Sequence, residues 1–323
     1  MKIRIGIVGS GMIVKDCLEA IAPLENVICT ALCVREPSKE KGQALCRAFQ
    51  IPMLYTAYQS MLSNRDLDFI YIGIVNTEHF RYAKQALEAH HHVILEKPFT
   101  ITYAEAVELA QRARFKELYL FEAITTLHFP NFKYCKEQLL ELGTIKLVQC
   151  NFSQYSSRYD RYLKGDVAPA LDPALRGGAL YDLNIYNIHF VMRLFGKPRA
   201  VQYHANRGFN GVDTSGILLM EYDGFLAECS AAKDSFGPNF GIIQGTKGYL
   251  QVQGQTSICK SVETYLDGKT IQVDKNIGTH HMQYEFLDFA DIFAAKDLQG
   301  CYEYLEHSVD VMQVLEKAGQ DTP

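Results

Sequence analysis

The chain has no tryptophan and no cysteines in C-x-x-C spacing. Its nine cysteines (Cys17, Cys29, Cys33, Cys46, Cys135, Cys150, Cys229, Cys259 and Cys301) are odd in number and scattered. That pattern excludes a disulfide framework, a zinc cluster or a thioredoxin-like site, and leads us to expect reduced thiols in a cytoplasmic protein with no metal site. An excess of positive charge is also missing. There are 32 Lys and Arg against 37 Asp and Glu, for a formal net charge of -5, and the basic residues do not cluster. Neither nucleic acid nor an anionic membrane surface is therefore an expected partner. No apolar run approaches the roughly 20 residues of a membrane span. The opening MKIRIGIVGSG is broken by Lys2, Arg4 and glycines, unlike a signal peptide. We find no internal repeat and no low-complexity stretch. What is left is a globular chain of 323 residues, long enough for two ordinary domains, whose expected partner is a small molecule.

From Ile3 to about Phe121, short β-branched runs alternate with amphipathic stretches of helix length. The expected strands are IRIGIVG (3–9), VICTALCV (27–34), FIYIGI (69–74), VILE (93–96) and LYLFEA (118–123). Helices are expected near 12–22, 38–48, 58–63, 79–90 and 103–114. Strand and helix taking turns predict a parallel sheet covered on both faces. After Glu122 the rhythm changes. A helix at 130–141, the strand IKLVQCNFSQY and a helical stretch near 178–195 precede AVQYHAN, SGILLMEY, FLAECSAA, FGIIQGTKGYLQVQ and ICKSVETYL. Strands joined by short turns such as YDGF and GTKG indicate antiparallel pairing. Helices near 281–295 and 302–318 close the chain. The expected fold class is α/β: a Rossmann dinucleotide-binding domain over 1–121, then an α+β domain with a large, mainly antiparallel open sheet over 122–323.

The Rossmann expectation rests on GIVGSGMIV, where Gly9, Gly11, Met12 and Ile13 lie at a turn from the first strand into a helix. Gly9 allows the tight turn, and Gly11 lets backbone N–H groups approach a pyrophosphate at the positive end of the helix dipole. The third small residue of the pattern is replaced by Val14. An NAD-binding fold of this kind ends its second strand in an acid that accepts a hydrogen bond from the ribose 2′-OH. Here Val34 and Arg35 occupy that tip. Without the acid a 2′-phosphate meets no repulsion, and a guanidinium binds it bidentately. NADP(H) is therefore favoured and NAD(H) is the alternative, which holds if Arg35 is only a solvated loop residue.

EAHHHVILEKPFT offers two candidates for chemistry. Three consecutive histidines, His90, His91 and His92, point in different directions and do not chelate one metal. We expect the first two to finish a helix, satisfied by its dipole and by water, and His92 to be a partly buried strand residue. Glu96, Lys97 and Pro98 instead follow a parallel strand, at the edge where ligands bind in open α/β sheets. Pro98 restricts its own φ and keeps Lys97 out of the helical region, which aims the lysine into the crevice.

GIVGSGMIV, NTEHFRYAKQALEAHHHVILEKPF, RGGALYDLNIYNIHFVMRLFG and QGTKGYLQV, in this order and at these separations, resemble the glucose-fructose oxidoreductase / inositol dehydrogenase / rhizopine catabolism protein (Gfo/Idh/MocA) family. The match spans nearly the whole chain. Tyr186 and the FEA at the start of the second domain are most similar to the dimeric dihydrodiol dehydrogenase-like branch. The resemblance implies an NAD(P)-dependent oxidoreductase acting on a secondary alcohol or carbonyl of a sugar, polyol, cyclitol or dihydrodiol. It also implies a homodimer or higher homo-oligomer formed through the second-domain sheet. Lys97 matches the family's Glu-Lys-Pro lysine and Asn76 and His79 match its Asn-x-x-His, and the resemblance implies that Asn76, His79, Glu96 and Lys97 all bind the cofactor. Asp182 and Tyr186 match its Asp-x-Gly-x-Tyr element, with Asn184 in place of the glycine. Ile74 and Val75 replace the usual Thr-Pro, and Thr125 and Leu127 stand where the dihydrodiol branch carries Trp and Arg.

The chemistry agrees with these residue types. Hydride transfer to or from a carbinol needs a group that handles the hydroxyl proton. A free tyrosine titrates near roughly 10, and a neighbouring ammonium favours its phenolate. Tyr186 with Lys97 supplies that pair, Asp182 shares a helical face with Tyr186, and His189 is a reserve proton carrier. Arg158, Tyr159, Asp160, Arg176 and Asn187 are polar candidates for the pocket wall. Other readings are open at this level. Tyr186 can be a core residue, and Asn76 with His79 can simply cap a helix. The chain can also be a catalytically inactive dinucleotide sensor of the same fold, or an enzyme that retains its cofactor and shuttles hydride between two substrates.

Overall fold

The computed structural model describes residues 2–320. The chain forms two compact units: residues up to Ala123 together with Gly278–Val309, and Ile124–Ile277 together with the residues from Asp310 onward. The change expected at 121 falls close to the first division. The expectation that everything from 122 onward forms one domain is corrected, because Gly278–Val309 joins the first unit. Its helix Gln283–Ala294 supplies Phe286 and Phe289, which are buried with Phe69, Tyr71 and Phe121 in one core. Such a return of the chain leaves no mark in local periodicity.

In the first unit six strands, β1 (Ile3–Val8), β2 (Val27–Cys33), β3 (Met53–Tyr55), β4 (Phe69–Ile72), β5 (His92–Glu96) and β6 (Leu120–Ala123), form a sheet in the order β3-β2-β1-β4-β5-β6. Every pairing is parallel. All four residues of β4 are buried, as a sheet covered on both faces requires. β3 was not legible, since three half-buried residues carry no pattern. The strand order reverses between β1 and β4, and in open α/β sheets the crevice beyond such a switch point is where ligands bind.

The histidine run is structural. His90 takes a left-handed φ of 63° just past the helix His79–Glu88, where Gly is the usual choice. His91 is buried against the Leu67 and Leu62 carbonyls at 3.2 and 2.8 Å, a more enclosed position than a water-satisfied helix end. The His92 ring packs against Phe69, Tyr119 and Phe293, and burial pushes its pKa down to about 4.

The second unit holds β7 (Ile145–Ser153), β8 (Ala200–Arg207), β9 (Asp213–Tyr222), β10 (Phe225–Ala232), β11 (Phe240–Gly245), β12 (Gly248–Gln253), β13 (Ser261–Leu266) and β14 (Lys269–Val273). Their order is β14-β13-β12-β11-β7-β10-β9-β8, antiparallel except for β7 with β10. Alternation sends Val148, Cys150, Ala227, Cys229, Leu218 and Met220 to a buried face. The helix Ile185–Phe195 packs there, and Asn184 and Asn187 tie it to the Cys229 and Ser230 carbonyls at 2.8 and 3.0 Å. The opposite face mixes exposed Ile217, Leu219, Leu226 and Tyr265 with a polar ladder in which Gln244 donates to Gln149 at 3.1 Å.

Candidate active site

The glycine loop has the geometry a pyrophosphate needs. Gly9 has φ +119°, and a Cβ there would stand 2.3 Å from the Gly73 carbonyl oxygen, so only glycine fits between β1 and the segment after β4. Among the described residues, its chain neighbours aside, nothing lies within 4 Å of a Cβ placed on Gly11. The helix Met12–Ile21 begins with no side-chain cap and no acid in its first turn. Its first N–H groups and positive dipole end are therefore available to an anion. Met12 is 66% exposed at the rim and Ile13 is half-buried. Val34, buried just past the end of β2, stands where the acid is usual; Arg35 follows it, exposed, and Glu36 after that pairs with Lys39 at 3.1 Å. The residues present fit a dinucleotide.

Lys97 follows β5 directly, and three buried side chains fix the backbone on both sides of it. Glu96 accepts the Lys97 N–H at 3.2 Å, a His79 ring nitrogen lies 2.9 Å from the Pro98 carbonyl, and Glu122 accepts the Phe99 N–H at 2.9 Å. Lys97–Pro98 is a cis peptide bond. The other Glu96 oxygen accepts the Tyr71 hydroxyl at 2.5 Å. Burial pushes the Glu96 pKa up to about 7, against the opposing pull of the Tyr71 hydrogen bond and of Lys97. Glu285, from Gln283–Ala294, is fully buried, and its pKa is pushed well above the ordinary value, first by burial and then by Glu96 and Glu122.

Two expected cofactor ligands behave differently from the expectation. The His79 ring is buried, with its second nitrogen 3.1 Å from the Ile74 carbonyl, so it braces the loop from within. Both partners only accept, and a neutral imidazole has one proton to give. Burial pushes the His79 pKa down, while the two carbonyls and then Glu122 push it back up. Glu96 likewise spends its carboxyl oxygens inside the protein. Asn76, which opens the turn Asn76–Glu78, stays half-buried at the edge of the crevice.

In the second unit, Asp182 and Tyr186 lie on consecutive turns. Leu180–Asn184 is a π-helical turn that runs into Ile185–Phe195. Such wide turns are frequent at functional sites, and this one leaves both side chains on a common side. The Tyr186 ring packs against Phe152 at 6.0 Å and joins the small apolar cluster of Ala179, Leu183 and Ala231. The turn is held at its start by Asp213, which accepts the Leu180 N–H at 2.7 Å and the Tyr203 hydroxyl at 2.6 Å. Gly178 makes this possible: at φ +113°, a Cβ would fall 1.9 Å from the Asp213 carboxylate. The Asp182 carboxylate accepts a hydrogen bond from Lys233, a lysine whose side chain is 3% exposed. Neither Lys233 nor Asp213 was singled out from the sequence, because a charge just after or at the start of an alternating strand carries no local signal.

His189 and Asn187 are corrected. Both are fully buried. Asn187 donates to Asn184 and to the Ser230 carbonyl and accepts from Thr256 at 2.8 Å, which makes it a helix-to-sheet tie and removes it from the pocket wall. Among the described residues no group of three or more His, Cys, Asp or Glu side chains could hold a metal ion, and no helix is long and apolar enough to cross a membrane.

Comparison with known proteins agrees with this geometry. Residues 3–123 match the model of the oxidoreductase family with an NAD-binding Rossmann fold, and residues 138–251 match the GFO/IDH/MocA C-terminal domain. The chain is 29% identical to the scyllo-inositol 2-dehydrogenase (NADP(+)) IolU of Bacillus subtilis, over 98% of this chain and 96% of that protein. It is also 29% identical to the trans-1,2-dihydrobenzene-1,2-diol dehydrogenase of Danio rerio, over 78% of this chain and 75% of that one. Among solved structures, the 3-ketoreductase KijD10 from Actinomadura kijaniata, crystallised with NADP, superposes with a TM-score of 0.83 over 100% of this chain and 98% of that one; at 20% identity this is a likeness of fold. The chain belongs to the GFO/IDH/MocA family and is an NAD(P)-dependent oxidoreductase of that family.

Proposed function

We propose that the protein transfers hydride between NADP(H) and a secondary alcohol or carbonyl of a polyol, with cyclitols such as scyllo-inositol as the first class to test. NADP is named for the inositol relative and for the KijD10 complex, and the exposed Arg35 next to Val34, which stands in place of the usual acid, supports the same preference here. Gly9, Gly11, Met12, Ile13, Arg35 and Asn76 would hold the dinucleotide, with His79 and Glu96 supporting the loop behind it. The nicotinamide gives or takes the hydride when bound. The chain's own residues handle the proton: Tyr186 donates it to, or removes it from, the substrate oxygen, Lys97 favours the phenolate, and Asp182 accepts a substrate hydroxyl. The observation that carries the reading is the bracing of Lys97, whose neighbours Glu96, Pro98 and Phe99 are fixed by buried partners at the ligand-binding edge of a parallel sheet. We further propose a homo-oligomer in which a second copy covers the open face of the large sheet, where Ile217, Leu219 and Leu226 are exposed.

The test is turnover of scyllo-inositol with NADP, read as NADPH absorbance, in wild type, Lys97→Ala and Tyr186→Phe. Each variant should lose a factor on the order of 100 or more in kcat, with the NADPH Kd within a few-fold of wild type. Near-wild-type turnover in either variant would remove that residue from the mechanism.

A further inference from the structure

Lys233 lies one residue beyond β10, and its backbone is fixed on both sides. Its N–H donates to the Thr214 carbonyl at 2.7 Å, and its own carbonyl accepts the Ser156 N–H at 2.8 Å. Its side chain is 3% exposed and its ammonium donates to Asp182, whose side chain is 33% exposed. A lysine this deep is stable only when its charge is paired, and a buried ion pair is a poor source of net stability compared with an apolar contact. Nor is the pair needed to hold the helix. Asp213 already caps the turn, and Asn184 and Asn187 already tie it to β10. What the Lys233 ammonium adds in direct contact is a fixed position and a fixed charge for the Asp182 carboxylate; its charge also lowers the Asp213 pKa against the larger effect of burial.

We propose that Lys233 is a positioning residue of the reaction: it holds Asp182 ionised and oriented on the turn that carries Tyr186, so that the carboxylate meets the substrate as an acceptor. This rests on the reading of Asp182 and Tyr186 given above. Around the pair, Asp213 from β9 is occupied by Tyr203 and Leu180, and Asp234 beside Lys233 accepts the Ser215 hydroxyl. On the same helical stretch the other titratable side chains include Tyr181, Tyr186 and the buried His189. Lys233 is thus a buried cation in direct contact with the Asp182 carboxylate.

The test is carboxyl-carbon NMR of the full chain labelled at aspartate, with the Asp182 signal assigned by its loss in Asp182→Asn. Removing a cation in contact with a carboxylate raises the carboxylate's titration midpoint by about 1 to 3 pH units. Lys233→Met should therefore move the Asp182 midpoint up by at least about one unit, and Lys233→Arg should restore it. Asp213, whose pKa burial raises and Lys233 in part lowers, should move up as well but by less than Asp182, and aspartate signals away from Lys233 should stay within a few tenths. In turnover with scyllo-inositol and NADP, the acid limb of kcat/KM should move up with the same midpoint in Lys233→Met and return in Lys233→Arg. An Asp182 midpoint that is the same in all three proteins overturns the proposal. So does an acid limb that stays in place while the Asp182 signal moves, since the charge would then have no part in the reaction. A fully active Tyr186→Phe refutes the catalytic reading on its own, and the NMR arm still decides whether Lys233 sets the charge of Asp182. Should Lys233→Met not fold, Lys233→Gln is measured against Lys233→Arg with the same criteria.

Discussion

Replacing Glu96 by Gln should have opposite effects on stability at acid and at alkaline pH. Glu96 is 6% exposed and its pKa is raised from 4.5 to about 7, with burial as the leading cause. An acid whose folded pKa lies above its unfolded value binds its proton more tightly in the folded state. It costs nothing below pH 4.5, costs progressively more as pH rises toward 7, and costs a constant amount above that. The full penalty is about 3 kcal/mol. Glutamine cannot ionise and escapes it. It also replaces one acceptor oxygen by an NH2 group, and both partners here, the Tyr71 hydroxyl and the Lys97 N–H, are donors. One hydrogen bond is lost, at about 1 kcal/mol. Glu96→Gln should therefore be about 1 kcal/mol less stable than wild type near pH 4.5 and about 2 kcal/mol more stable at pH 8 and above. Urea unfolding followed by circular dichroism at both pH values measures this. A wild-type-to-variant difference that does not change with pH would refute the reasoning.

Gly178→Ala should cost about 3 kcal/mol or more of stability in urea unfolding, because it combines a strained φ with a collision against the carboxylate that caps the Asp182 turn; an unchanged midpoint would show that the cap is dispensable. Asn187→Ala removes three hydrogen bonds, two of them buried, from a fully buried helix-to-sheet tie, so it should destabilise by about 2 to 3 kcal/mol while leaving KM for scyllo-inositol within a few-fold. A large rise in KM at unchanged stability would return Asn187 to the pocket. Arg35→Ser should weaken NADPH binding by a factor on the order of 10 or more and leave NADH binding unchanged, as loss of a charge-assisted contact to a 2′-phosphate predicts.

The parts of the fold legible in the sequence are those with a burial pattern. β1, β4 and β5 are short apolar runs followed by turns, and β7, β9 and β10 alternate. β14 escaped because four of its five residues are exposed, so nothing distinguishes it from a loop. In the site, the glycine loop and Glu-Lys-Pro were legible because they are local backbone devices. The functions of His79 and Glu96 were not, since nothing local says that a polar side chain turns inward to a carbonyl or a buried phenol. Lys233 lies 51 residues from Asp182, and only the pairing of β10 with the rest of the sheet brings them together.

The central claim is that this oxidoreductase works with NADP(H). Because the chain contains no tryptophan, nicotinamide fluorescence can be followed on binding with no indole signal beneath it. Parallel titrations with NADPH and NADH under identical conditions should give an NADPH Kd lower by a factor on the order of 10 or more. Equal or tighter binding of NADH would contradict the assignment of Arg35 to the 2′-phosphate, and binding of neither would contradict the dinucleotide site itself.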